Sequence, residues 1–463
     1  MNQKNNILKG VVIKDIGAKG KAVGKSANKV VFVPGLVPGD VADIKITKKK
    51  KKYFEGKPVE FLEYSNRRKE AFCEHFELCG GCKWQHIPYE DQLYYKEKQV
   101  KDNLSRIGEI PPDNMEEILP SPKTEFYRNK LEYTFTNRRW LTKEEIDSGK
   151  TVESREGIGF HIPGQFDKIV DIRKCHLQPE PSNSIRLFIR RTAIDHGLEF
   201  FDVIKQKGFL RNLIIRTSTT GEVMVILVFF KEEAEKRKRL LNALKEEFPD
   251  ITSICYIINS KKNDSIADQQ VHAFKGRKFI VEELGGIKYR IGPKSFFQTN
   301  SYQAKQLYDL VTDYAELHGS EIVYDLYTGI GTIANYIAPK SKRVIGIESI
   351  EEAVEFGKKN SEDNNTSFHA GDMTKLFNRK LFNKEGHPDV IIADPPRAGM
   401  HPKVTETILK AAPQKIVYVS CDPATQARDI HKMSEQYSVQ RIRPVDMFPH
   451  TYHIENIVLL TKK

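Results

Sequence analysis

The sequence predicts an α/β protein in three parts: a small N-terminal β-barrel, a central α+β segment, and a C-terminal parallel sheet with helices on both faces. Three observations predict it. Residues 323–326, 344–347, 390–393 and 416–420 are short apolar strands separated by helical stretches, the pattern of a parallel sheet wrapped by helices. The opening residues carry β-branched runs at 11–13 and 30–33, cut by Gly17, Gly20, Gly24, Gly35 and Gly39 with Pro34 and Pro38. Between these regions three cysteines crowd between Cys73 and Cys82. A chain of 463 residues exceeds one ordinary domain, and we divide it at 1–62, 63–290 and 291–463.

Composition narrows the class. Hydrophobic residues at 39% and aromatics at 10% can fill real cores, which excludes a disordered chain. No run of about 18 apolar residues predicts a membrane span. The opening residues are polar and carry no apolar signal segment, so a cytoplasmic protein is expected. Lys and Arg outnumber Asp and Glu by 74 to 62, a net charge of +12 that suits a polyanionic partner or serves solubility. Residues 48–52 are all lysine, read either as a solvated loop or as a phosphate-contacting edge of the barrel. Six cysteines are too few for a disulfide scaffold of this length.

In the central segment, 213–215 and 223–230 read as strands joined by a Thr-rich turn ending in Gly221. Residues 232–248 read as an exposed amphipathic helix with Leu240, Leu241, Leu244 and Phe248 on one side and a solvent-facing basic run at 236–239. Cys255, in the middle of an apolar strand, reads as core packing.

The C-terminal sheet carries the polar groups, and ligands of such sheets bind beyond the carboxyl ends of the strands. The first strand runs into Asp325-Leu326-Tyr327-Thr328-Gly329-Ile330-Gly331-Thr332, where two glycines allow a tight turn and close backbone approach. The second ends in Glu348, placed to accept hydrogen bonds from ribose hydroxyls. A third glycine is missing, which favours a nucleoside cofactor over a dinucleotide. Asp372 either reaches an adenine amino group or caps a helix. The next strand ends in Asp394-Pro395-Pro396-Arg397-Ala398-Gly399, whose prolines make a rigid turn holding Asp394 at the sheet edge. Cys421 sits at a strand end, where it faces the cleft or packs. Glu455, within His453-Ile454-Glu455, breaks an apolar context.

These pieces fit one reaction. Carbon 5 of uracil is a poor nucleophile until a thiolate adds to carbon 6 and makes an enolate. Carbon 5 can then attack a sulfonium methyl, after which a base removes its proton and the thiolate leaves. Cys421 supplies the thiolate, Glu455 the base, and Asp394 with Arg397 the groups that bind the enolate and ring edge.

At this point the sequence resembles the RNA uracil-5 methyltransferases, in particular the RumA-type (RlmD-like) branch that acts on 23S ribosomal RNA. The resemblance spans nearly the whole chain. It rests on Ser295-Phe296-Phe297-Gln298-Thr299-Asn300, the 325–332 loop, the Asp394–Gly399 turn, Ser420-Cys421-Asp422-Pro423 and the His453-x-Glu455 ending. It implies a Rossmann-like class I methyltransferase domain and an N-terminal TRAM domain, an OB-like RNA-binding barrel. It also implies S-adenosylmethionine held by Gln298, Tyr327, Glu348 and Asp394, with Cys421 as nucleophile and Glu455 as proton acceptor. Thr328 stands where the family pattern leads us to expect a cysteine or a smaller residue.

Cys73, Cys79 and Cys82, with the distant Cys175, suit zinc or an iron–sulfur cluster by spacing alone. The resemblance implies a [4Fe-4S] cluster that pins the central domain and performs no redox chemistry, with His75, His86 and His176 as bystanders. Residues 127–130 and Arg211-Asn212 are candidate RNA contacts, Arg128 foremost. Phe296 or Phe297 is placed to stack on a base or to fill the gap left by a flipped uridine. The expected partner is 23S rRNA, with transfer RNA as the alternative substrate, and the protein is expected to be monomeric. Amino-group methylation also uses an Asp-Pro-Pro turn, but it prefers an aromatic after the prolines and needs no Cys421. A non-catalytic RNA-binding iron–sulfur protein would have no use for Cys421 together with Glu455.

Overall fold

The computed structural model describes residues 6–26, 29–149, 152, 154–361 and 365–463. Residues 1–5, half of the polar opening stretch, lie outside the described residues. Five strands, β1 (Ile7–Ile16), β2 (Ala22–Ser26), β3 (Lys29–Val33), β4 (Val41–Lys49) and β5 (Tyr53–Glu63), close into a barrel in the order β1-β2-β3-β5-β4. Alternating residues point inward, so Val11, Ile13, Ala22, Val31, Val33, Ala42 and Ile44 form its core. The lysines at 48–52 end β4 and turn into β5, all exposed.

The central segment builds a second sheet from β6 (Lys130–Thr136), β7 (Gly157–Ile162), β8 (Gln165–Asp171), β9 (Leu210–Thr217), β10 (Val223–Phe229), β11 (Ser253–Ile258) and β12 (His272–Gly276). Their order is β12-β11-β10-β9-β6-β7-β8. β9 and β10 form the expected antiparallel pair. The helix Ala234–Glu247 buries Leu240, Leu241 and Leu244. One residue of its basic run departs from the solvent-facing expectation: Arg237 is buried, with its guanidinium 4.3 Å from the Tyr256 ring centroid and its charge met by Glu232. A planar cation whose stem and face are covered by apolar surface packs as well as it solvates.

A hairpin of β13 (Ile280–Leu284) and β14 (Ile287–Ile291) leads into the third sheet. That sheet contains β15 (Ile322–Leu326), β16 (Arg343–Glu348), β17 (Thr366–Ala370), β18 (Val390–Ala393), β19 (Lys415–Ser420), β20 (Tyr437–Val445) and β21 (Glu455–Lys462), in the order β17-β16-β15-β18-β19-β21-β20. Strands β15 to β19 are parallel, as expected. The sheet is not parallel throughout: β21 runs antiparallel between β19 and β20. β20 lies at the sheet edge, and its mixed sequence YSVQRIRPV hides it from an apolar-run search.

Strands buried on both faces read as continuous apolar runs. Val323, Val344, Ile392 and Val417 join one core with the helix Ser301–Ala315 and with Ile214, Ile226 and Cys255 of the central sheet. Tyr324, Ile345, Ile391 and Tyr418 join the opposite core. Val100 and Leu104 of the helix Tyr89–Ile107 enter that second core, beside the helix Pro423–Met433. A segment that precedes the third sheet by more than two hundred residues therefore completes it. Among the described residues no helix is long and apolar enough to cross a membrane.

Candidate active site

The carboxyl ends of β15, β16, β18 and β19 open onto one cavity of about 1240 Å³. It is lined by Gln298, Tyr327, Glu348, Asp394, Arg397, Cys421 and Glu455, and it continues past Phe296 and Arg128 to Cys73, Cys79, Cys82 and Cys175. Residues from three stretches of the sequence thus share one space.

The loop after β15 is held from within. The buried Asp325 carboxylate accepts from the Thr328 hydroxyl and, at 3.1 Å, from the Ala334 N–H. Threonine at 328 thereby ties the turn, which accounts for a residue that departs from the family pattern. Burial pushes the Asp325 carboxyl up to about 7. Gly331 has φ +75, and a Cβ there would lie 2.8 Å from the Phe368 ring, so only glycine fits. Tyr327 also has positive φ, +66, which turns it into the cavity wall. At the end of β16, the Glu348 carboxylate accepts from the Ser349 N–H at 2.7 Å, the Ile350 N–H at 3.0 Å and the Gly329 N–H at 3.1 Å. The carboxylate is fixed between two loops before any ligand arrives. Gln298 is buried, and its backbone carbonyl accepts from the Asn129 side chain at 2.9 Å. Asp372 is exposed, caps the short helix Met373–Leu376 by accepting from the Thr374 N–H at 2.8 Å, and is not among the residues lining the cavity.

Beyond the cofactor loops lie the reactive groups. Asp394 leaves β18 half-buried, and burial pushes its carboxyl up to about 7. Gly399 closes the turn by donating to the Pro396 carbonyl at 2.8 Å. Cys421 follows β19 directly and precedes the helix Pro423–Met433, which Asp422 caps through the N–H groups of Ala424 and Thr425. Burial drives the Cys421 thiol up to about 12, Glu455 and Asp394 push it the same way, and Arg397 pulls it back. Glu455 opens β21 only 3% exposed. Burial raises its carboxyl well above the ordinary range, and Asp394 adds to the effect. Oε2 of Glu455 has no hydrogen-bond partner among the described residues. Burial and the neighbouring Asp394 thus give this carboxyl a raised affinity for a proton.

Phe296 is 69% exposed in the cavity wall, whereas Phe297 is buried in the core, so of the two only Phe296 presents its ring to solvent. Arg128 is half-buried in the wall. Four of the other candidate RNA contacts are buried. Arg211 is 1% exposed and bonded to the carbonyls of Asn259 and Lys261 and to Asp264, and Asn212 is buried beside it. Tyr127 and Asn129 are buried as well. Lys130 lines the cavity, where burial lowers its pKa to about 8. Sequence reasoning missed Glu132, His161, Lys294 and Thr451, all in the cavity wall: Glu132 and His161 lie on strands that carry no motif, and Lys294 and Thr451 flank motifs without belonging to them.

The four cysteines share one wall, and their electrostatic influence on one another marks them as neighbours. Burial pushes Cys79 to about 11 and Cys82 to about 12, and raises Cys73 and Cys175. Cys175 is further fixed by its N–H donating to Asn183 at 2.8 Å. His75 is engaged elsewhere, accepting from the Arg173 N–H at 2.8 Å, as a bystander would be. Among the described residues, however, no group of three or more His, Cys, Asp or Glu side chains is drawn to metal-ligating spacing. The donor chemistry of the wall suits a thiophilic centre, and Cys79, Cys82 and Cys175 pack about the same apolar core.

Comparison with known proteins agrees with this architecture. A family described as tRNA (uracil-5-)-methyltransferase matches residues 198–463, and the TRAM domain matches residues 9–59. An uncharacterized RNA methyltransferase of Bacteroides thetaiotaomicron is 52% identical, over 96% of this chain and 99% of its own. Another from Porphyromonas gingivalis is 51% identical, over 97% of this chain and 99% of its own. The crystal structure of Pyrococcus abyssi tRNA (uracil-54, C5)-methyltransferase with S-adenosyl-L-homocysteine superposes with a TM-score of 0.76 at 31% identity, covering 97% of this chain and 99% of that one.

Proposed function

We propose that this chain, which belongs to the tRNA (uracil-5-)-methyltransferase family and is an S-adenosylmethionine-dependent RNA methyltransferase, methylates carbon 5 of a uridine in 23S ribosomal RNA through a covalent Cys421–uracil intermediate. One observation carries the reading: Cys421, Asp394, Arg397 and Glu455 meet in the cavity that also holds the Gln298, Tyr327 and Glu348 wall.

The residues divide the work. Gln298, Tyr327, Glu348 and Asp394 would hold S-adenosylmethionine, which when bound supplies an electrophilic methyl group. Asp372, exposed and engaged as a helix cap, would serve by ordering its loop. Arg128 and Phe296 would guide and stack the RNA, and Arg397 would face the uracil edge. In the free protein Cys421 is a thiol, so its proton must pass to solvent as the uracil docks, which leaves Glu455 free to take the later one from carbon 5. Arg397 and the N-terminal end of the following helix both favour the resulting thiolate. The Cys421 sulfur bonds to carbon 6, the electron pair of the 5,6 double bond moves into the enolate, and carbon 5 becomes the nucleophile. After methylation Glu455 takes the proton from carbon 5, the double bond re-forms, and the carbon 6–sulfur bond breaks to release Cys421.

Cys73, Cys79, Cys82 and Cys175 would together hold a [4Fe-4S] cluster. It would tie the 73–82 loop to the central sheet and take no part in methyl transfer. Ribosomal RNA as target is supported by the barrel and the cysteine wall seen together. A second reading, transfer RNA, is supported by the Pyrococcus abyssi neighbour, a tRNA (uracil-54, C5)-methyltransferase that covers 97% of this chain.

Mapping 5-methyluridine in ribosomal and transfer RNA from a deletion strain decides between the two. Loss of a ribosomal site alone is expected. Loss of a tRNA site alone would replace the first reading by the second, and no lost site in either RNA would overturn both.

A further inference from the structure

We infer that Gln92 and Lys96, on the helix Tyr89–Ile107, are positioning residues for Glu455; the inference rests on the reading of Glu455 as the base. Val445 pairs with Glu455 across β20 and β21, so residues 446–454 form the loop that closes this hairpin. A shift of that loop moves Glu455.

Much of what holds the loop comes from outside its own domain. Its consecutive carbonyls are each taken: Met447 by the Asn300 side chain at 3.2 Å, Phe448 by Lys96 Nζ at 2.9 Å, and Pro449 by the Tyr127 hydroxyl at 3.1 Å. The His450 carbonyl accepts from the N–H groups of Lys83 and Trp84 at 2.8 and 3.0 Å, immediately after Cys82. Lys96 also pairs with Asp446 Oδ1 at 2.6 Å, while the Tyr89 hydroxyl donates to Oδ2 at 2.8 Å. Gln92 grips His450 twice. Its Oε1 accepts from the His450 N–H at 2.8 Å, and its Nε2 lies 3.2 Å from His450 Nδ1 while donating to the carbonyls of Trp84 and Ile87. Gln92, Lys96 and Asp446 are completely buried.

Two further facts make this a device for aiming Glu455. His450 has φ +64, a conformation that a non-glycine residue keeps only where its surroundings over-determine it. The unpartnered Oε2 of Glu455 means that the carboxylate is aimed by its backbone and packing, with little from hydrogen-bonded neighbours. Cys421 and the cofactor loop are anchored independently, by the Asp422 cap and by Asp325 and Glu348. Neither Gln92 nor Lys96 lines the cavity. Loosening the loop should therefore impair proton removal and spare the thiolate attack.

The test uses the full-length protein with RNA and S-adenosylmethionine. The variants are Gln92→Leu and the double substitution Lys96→Met with Asp446→Leu, which removes both charges together and strands neither. Covalent protein–RNA adduct on denaturing gels, release of methylated RNA and cofactor affinity are measured. We expect adduct to accumulate while release falls about ten- to hundredfold and cofactor affinity stays unchanged. Adduct formation and release falling together, or both remaining at wild-type rates, would overturn the inference. Gln92→Leu leaves the ion pair intact and carries the test by itself if the double variant does not fold. Glu455→Gln, run alongside, separates the two claims. If it accumulates adduct and the helix variants do not, only the positioning inference falls. If it accumulates none, the assignment of Glu455 as base falls and takes the inference with it.

Discussion

Cys421 and the four clustered thiols line one cavity and differ in the company they keep. Cys421 and Cys82 are each pushed up to about 12, chiefly by burial. Cys421 has a cation, Arg397, drawing it down, and the start of a helix behind it. Cys82 has three more thiols around it, each of which makes its ionisation harder. A lone thiol beside a guanidinium can become a thiolate when a substrate arrives. Four thiols that oppose one another's ionisation would become thiolates more easily around a shared cation, as the proposed cluster would supply. Burial is common to both, so the neighbours decide the chemistry.

The largest effect should come from exchanging the two sets. Cys421→Ala should lower turnover by at least about a thousandfold while leaving cofactor affinity and any bound iron intact. Cys82→Ala should do the reverse, abolishing visible iron–sulfur absorbance in anaerobically purified protein while retaining adduct formation with RNA. Iron analysis, absorbance and denaturing gels on both variants check this, and stoichiometric zinc in colourless wild-type protein would break the comparison at its second half.

A middle-sized effect concerns Arg397. Well below its pKa the thiolate fraction of Cys421 rises about tenfold per pH unit, so alkylation of the free protein should climb from pH 7 to 9 with no plateau. Arg397→Met raises that pKa further, and alkylation at pH 8 should slow several-fold. A plateau near pH 7, read by mass spectrometry of the peptide containing residue 421, would contradict the picture of a resting thiol.

The smallest effect is expected at a third kind of cysteine. Cys255 is completely buried in a core shared by the central and third sheets, beside the Ser253 hydroxyl. Cys255→Ala should cost about 1 kcal/mol in thermal unfolding and leave methyl transfer unchanged. A loss of activity there would mean that packing, and not only electrostatic company, separates the cysteines.

Much of the catalytic face was legible in the sequence because its residues sit at strand ends next to rigid or capping neighbours. Asp394 stands before two prolines, Cys421 before Asp422-Pro423, and Glu348 at the end of an apolar run, so position and chemistry coincide in a few residues. Arg211 could be read as an RNA contact or as an ordinary structural residue, with the second slightly favoured, and its guanidinium is indeed spent on backbone carbonyls inside the domain. Gln92 and Lys96 could not be read at all. They lie on a polar-looking helix, and the groups they hold are some 350 residues away in the chain. The edge strand β20 was missed for a related reason, since its pattern is set by one buried face and one exposed one.

The helix Tyr89–Ile107 also dictates an order of assembly. Its Val100 and Leu104 share a core with Ile430, Ile442 and Val458, more than three hundred residues further along the chain. The apolar stripe must wait, uncovered, until those residues have been made. Closure of so long a loop is slow, and it comes after the barrel, whose contacts are local, has had time to form. A fragment beginning at residue 291 would carry Asp394, Cys421 and Glu455 but not the helix that seals the sheet beneath them.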